Sequence, residues 1–145
     1  MNATTTRALL STSAVQALLD RDEDQVLALI QSGKLAWAWD FRAPGAKRAC
    51  LRVLRQCVAD LCAGRPGLTG EEDWERILGL IFPHRPQVIA SRKLSQIFTL
   101  SSTHTCDFIK HGLLKTQGRR RHRRAAYPVE FGSVERLLLE RRFVG

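Results

Sequence analysis

The segment Gly118-Arg-Arg-Arg-His-Arg-Arg124 sets the guanidinium groups of Arg119, Arg120, Arg121, Arg123 and Arg124 almost side by side. Arginine at that density neutralises phosphates, or enters a narrow minor groove where the negative potential is deepest. The run also has a plain reading, as a solvated loop or a disordered tail. Its position between an expected strand and an expected helix suits a hairpin tip better. Just upstream, Ser102, Thr103, His104, Asp107, Lys110 and His111 fall on the polar side of a helical pattern whose apolar side holds Phe108 and Ile109. Hydroxyls at a helix N-terminus donate to phosphate or to base edges, and Lys110 and His111 would hold the backbone at the far end. Asp107 either accepts from a cytosine amino group or pairs with Lys110 three residues on. Ser101 or Ser102 is expected to cap the helix. Arg42, Lys47 and Arg48 form a smaller basic group in the first half.

Other chemistry is poorly served. Trp37, Trp39 and Phe41 offer a stacking platform for unpaired bases, or, at their period of two, the buried face of a strand. Cys50, Cys57, Cys62 and Cys106 with His84, His104, His111 and His122 lack the spacing of a four-ligand zinc site. Cys50 and Cys57 lie two helical turns apart and could face one way. Free thiols are the expectation, with no metal and no cofactor. No nucleophile–base pairing, phosphate loop or carboxylate pair stands out, so an enzyme is not expected.

Composition agrees with a binding role. The 145-residue chain has a formal net charge of +9, the profile of a polyanion binder. Residues 1–65 carry nine Lys/Arg against six Asp/Glu, and residues 66–145 fourteen against eight. No apolar run reaches membrane-spanning length, no secretory leader is visible at the N-terminus, and cysteines without CxxC spacing suit a reduced compartment. A cytoplasmic, nucleoid-associated protein is expected.

These residues need elements to position them, and the elements occur twice. A constant offset carrying Val15 to Leu94 superimposes Leu18 on Ile97, Leu19 on Phe98 and Leu29 on Phe108, with identities at Ile30/Ile109, Gly33/Gly112 and Leu35/Leu114. Each copy reads as short helix, turn, second helix, glycine stop and strand. In the first copy, residues 1–10 form a loose lead-in and Ser13 with Gln16 a capping box. A strand is expected over Leu35–Phe41, and a third helix from about Arg48 to Cys62. The glycine- and proline-rich stretch Ala63–Gly70 divides the chain into 1–65 and 66–145. Thr69 with Glu72 opens a linker helix over Trp74–Phe82. In the second copy, a helix from about Ser91 precedes the helix ending at Gly112. A strand over Leu113–Thr116 and a return over Ala125–Val129 flank the arginine tip, and a closing helix runs over Ser133–Glu140. Val58/Val134 and Leu61/Leu137 relate the closing helices. Halves this small would pack on each other or share a dimer interface.

The order of elements, the turn Ile109-Lys-His-Gly-Leu-Leu114, the basic run, Tyr127-Pro-Val and the helix ending Leu-Leu-Leu-Glu-Arg-Arg142 make residues 91–145 resemble the MerR-like or excisionase type of winged helix-turn-helix. Members of that group place a hydrophobic-Lys-x-Gly-x-Leu turn after the recognition helix and a basic strand pair behind it. The resemblance implies a double-stranded DNA binder and, extended to the first copy, a tandem winged helix-turn-helix: mainly α with small β-hairpin wings, α+β. The first copy departs from the pattern. Arg21 stands where the second copy has the turn anchor Leu100, and Asp22-Glu-Asp24 opens the helix that should approach phosphate. It is either a packing or pairing module, or a DNA contact made through Arg42, Lys47 and Arg48.

The expected function is sequence-specific binding of double-stranded DNA by a transcriptional regulator acting as a homodimer. The alternatives are an excisionase-like factor that bends DNA beside a recombinase, and an adaptor that binds a protein partner through its first copy and RNA through its arginines.

Overall fold

The first repeat begins where the sequence suggests a loose lead-in. Leu9 and Leu10 are wholly buried, and with Ser11 they form β1 (Leu9–Ser11). The computed structural model describes residues 7–68, 70–118 and 125–143. β1 leads straight into α1 (Thr12–Leu19), whose cap is Ser11 rather than Ser13: the Ser11 side chain accepts from the Ala14 amide. A turn over residues 20–22 joins α2 (Glu23–Gln31). β2 (Ala38–Asp40) and β3 (Leu51–Leu54) follow, and α3 (Arg55–Cys62) closes the unit. The expected helix from Arg48 is therefore a strand in its first part. Leu51, Val53 and Leu54 are buried, and pairing with β1 on one side and β2 on the other outweighs the helical spacing of the leucines. A strand between Cys50 and Cys57 also removes the shared helical face of those cysteines.

A 3₁₀ turn at Glu71–Asp73 introduces α4 (Trp74–Ile81), as the sequence suggests, without a side-chain cap; Thr69 lies outside the described residues. The second repeat is β4 (Val88–Ala90), α5 (Ser91–Phe98), α6 (Ser102–Lys110), β5 (Pro128–Glu130) and α7 (Phe131–Glu140). β5 and α7 start later and earlier, respectively, than the sequence suggests. The strand expected over Leu113–Thr116 is reduced to one antiparallel bridge, Thr116 to Val129. The arginine tip lies outside the described residues.

The duplication holds at the level of single hydrogen bonds. Leu9, Leu10 and Ser11 face Leu54, Val53 and Arg52; Val88, Ile89 and Ala90 face Glu130, Val129 and Pro128, the same register. Leu35 N–H donates to Leu29 C=O as Leu114 N–H donates to Phe108 C=O. Arg21 N–H donates to Gln16 C=O as Leu100 N–H donates to Ser95 C=O. Both first helices end on a left-handed residue, Asp20 (φ 52°) and Thr99 (φ 55°), and both second helices stop at a left-handed glycine, Gly33 (φ 84°) and Gly112 (φ 76°).

The two repeats and α4 share one continuous core. Trp37, Trp39 and Phe41 are buried in it, with Trp37 stacked on Trp74 at 5.8 Å and Phe41 on Phe98 at 4.7 Å between centroids. They serve packing, not base stacking. Among the links across the seam are two straps. Arg52 on β3 donates to the carbonyls of Phe98 and Thr99 (3.0 and 2.7 Å), holding the end of α5. Residues 141–143 run antiparallel beside β2: Asp40 N–H donates to Arg141 C=O and Phe143 N–H to Ala38 C=O. The fold is α+β, mainly helical with small antiparallel sheets. No helix among the described residues is long and apolar enough to cross a membrane.

Candidate nucleic-acid interface

α6 is built to present its N-terminus. The Ser101 hydroxyl accepts from the His104 amide and so takes the capping role, which leaves Ser102 and Thr103 exposed on the first turn. On the inner face Phe108 is buried, and Thr105 shares a 2.7 Å hydroxyl hydrogen bond with Ser95 of α5. That bond fixes the angle between the two helices from within. Lys110 and His111 are exposed at the C-terminal end, where a cation also meets the negative end of the helix dipole. His111 Nδ1 lies 2.8 Å from the Asp107 carbonyl, so its ring is held against the last turn.

One residue expected on the binding face is also engaged within the fold. His104 turns away from solvent: Nε2 sits at hydrogen-bond distance from the Phe41 carbonyl, and the ring packs on Phe108. It joins α6 to the first repeat. Asp107 is half-buried and, among the described residues, makes no ion pair with Lys110.

In the first repeat the loop 41–50 is closed at its base by Phe41 N–H donating to Cys50 C=O, and organised by Asp40. The Asp40 carboxylate accepts from the Arg42 and Cys50 amides (3.1 and 3.0 Å) and from Arg42 Nε (2.9 Å), and pairs with Arg42 Nη2 at 2.8 Å. Burial pushes its pKa up, but the Arg42 side chain and the two amides outweigh that and hold it below the ordinary aspartate value. Arg42 Nη1 reaches the Lys47 carbonyl. Arg42 braces the loop while its side chain stays partly exposed, and Lys47 and Arg48 are exposed.

The acidic start of α2 is also partly committed. The Asp22 carboxylate accepts from the Gln25 amide and Gln25 Oε1 accepts from the Asp22 amide, a complete capping box. Glu23 and Asp24 remain exposed beside it. Arg119, Arg120, Arg121, Arg123 and Arg124 lie outside the described residues; the chain enters that run through Lys115, Gln117 and Gly118, all exposed. Sequence reasoning missed Lys115 and also Lys93 on α5, both exposed; the cue for Lys115 was its place between the glycine turn and the basic run.

The four cysteines are free: Cys57 is buried, which pushes its pKa up, and Cys62 is exposed. No group of three His, Cys, Asp or Glu that could hold a metal occurs among the described residues. The chain matches no family model, no curated protein and no solved structure with which it was compared.

Proposed function

We propose that the protein binds double-stranded DNA through α6 and the basic segment after it, as a tandem winged helix-turn-helix of the MerR-like or excisionase type. Its role on this reading is that of a transcriptional regulator acting as a dimer. The observation that carries the reading is the contrast between α6 and α2. The two helices match in length, turn and glycine stop. Yet α6 exposes Ser102, Thr103, Lys110 and His111, and α2 exposes Glu23 and Asp24 at the end that would meet phosphate. In a chain of net charge +9, the helix whose first turn carries no carboxylate leads into the arginine run. Hydroxyl donors at a helix N-terminus with a cation at the other end suit a helix lying in a groove.

Selection of bound duplexes from a random pool, followed by footprinting of the winners, tests this. The expected result is a preferred site with two-fold symmetry, the mark of a dimer. Replacing Thr103 or Lys110 by Ala should weaken binding to the selected site by about 1–3 kcal/mol if a base contact is lost, and less if only a phosphate contact goes. Equal binding to single-stranded RNA and to every duplex would overturn the reading. A strong bend at clustered sites would favour the architectural role.

A further inference from the structure

The first repeat meets α6 at the base of the loop 41–50. His104, in the first turn of α6, meets the Phe41 carbonyl, and Phe41 stacks on Phe98 at 4.7 Å with an interplanar angle of 17°. Arg52, on the strand that ends this loop, holds the carbonyls of Phe98 and Thr99 just before α6 begins. The loop base is therefore fixed beside the N-terminus of α6 by a ring stack and several hydrogen bonds. Its interior is fixed as well: Asp40 gathers Arg42 and Cys50, and Arg42 braces the Lys47 carbonyl. What emerges from this scaffold is Lys47 and Arg48, both exposed.

We infer that the first repeat's loop 41–50 acts as a second wing for α6, so that one duplex seated on α6 is also gripped by Lys47 and Arg48. This rests on the DNA-binding reading above and adds to it where the first repeat makes its contact: through its loop and not through its acidic helix. Distance permits it. Arg48 and Lys47 are two and three residues from Cys50, within about 11 Å of the loop base at ~3.6 Å per residue. A major groove is about 12 Å wide, so phosphates bordering a groove-bound α6 fall within that reach. Charge favours it too, because the exposed carboxylates of the first repeat, Asp20, Asp22, Glu23 and Asp24, gather at the turn before α2 and in its first residues, and none lies within the loop.

The test is an anisotropy titration of the full chain against a fluorescein-labelled mixed-sequence duplex at several salt concentrations. Three proteins are compared: wild type, Lys47→Ala/Arg48→Ala and Lys110→Ala. Loss of two phosphate contacts should flatten the log–log salt dependence by about two units in the loop variant and by about one in Lys110→Ala. Stoichiometric titration should give no more than one duplex per chain. An unchanged salt slope in the loop variant beside a weakened Lys110→Ala overturns this inference and leaves the DNA reading standing. Two duplexes per chain overturn it as well, since the loop and α6 would then hold separate partners. Failure of the wild type to bind the duplex at all removes the DNA reading itself.

Discussion

Asp40 and His104 show how residues with chemistry in their side chains are absorbed by structure. The Asp40 carboxylate is held below its ordinary pKa by Arg42 and two amides, against the upward push of burial. A carboxylate with a depressed folded-state pKa contributes stability that is full above its unfolded-state value and is lost as pH falls through the lower folded value. Asp40→Asn should therefore lower stability at neutral pH and flatten the acid side of the stability–pH curve. Urea unfolding at a series of pH values measures this, and a parallel curve for the variant would remove Asp40 as a contributor. His104→Ala should cost about 1–2 kcal/mol, the loss of one hydrogen bond and a ring contact at the seam. Its effect should appear in urea unfolding and not in the number of phosphates contacted. A flatter salt slope at unchanged stability would return His104 to the binding face.

At the scale of elements, the glycine stops are the most informative. Gly33 and Gly112 sit at φ 84° and 76°, and a Cβ built on either meets nothing within 4 Å. The cost of Gly33→Ala or Gly112→Ala is then purely that of holding an L-residue left-handed, about 1–2 kcal/mol at each site. Near-equal values from denaturant unfolding are expected, and a cost near zero at either would mean that the turn there can relax. These turns were legible in the sequence because glycine, apolar spacing and helix length all pointed the same way. β1 and β3 were not. Leu9-Leu-Ser11 is too short to show a period. Leu51-Arg-Val-Leu54 has spacing that a helix would also use, and it is the pairing of β3 with β1, far away in the chain, and with β2 that makes the strands. The polar face of α6 was legible apart from His104. Nothing in its own neighbourhood signals that its partner is the carbonyl of Phe41, so far away in the chain.

For the whole molecule, the question is whether the repeats stand or fall together. All three tryptophans, Trp37, Trp39 and Trp74, lie in or against the core at the seam, while helices are spread over both repeats. Tryptophan emission therefore reports the seam and far-UV circular dichroism the whole chain. Arg142 is one of the residues that join the repeats. Its guanidinium carbon lies 3.4 Å from the Trp37 ring centroid, Nη2 donates to the Ala36 carbonyl, and its backbone bridges to Trp39. Burial lowers its pKa, and Nε has no partner among the described residues, so the same side chain also carries a desolvation cost. The cation–π contact contributes about 0.5–2 kcal/mol, and a charged hydrogen bond about 1.5–3. Against the relief of the desolvation cost, Arg142→Ala should lose about 1–2 kcal/mol. Because the core is continuous, that loss should shift the emission and dichroism transitions together, and they should coincide in both proteins, as for a single cooperative unit. Separation of the two curves in the variant, with emission changing first, would show that the seam opens before the repeats melt. The repeats would then be independent folding units held together by their straps.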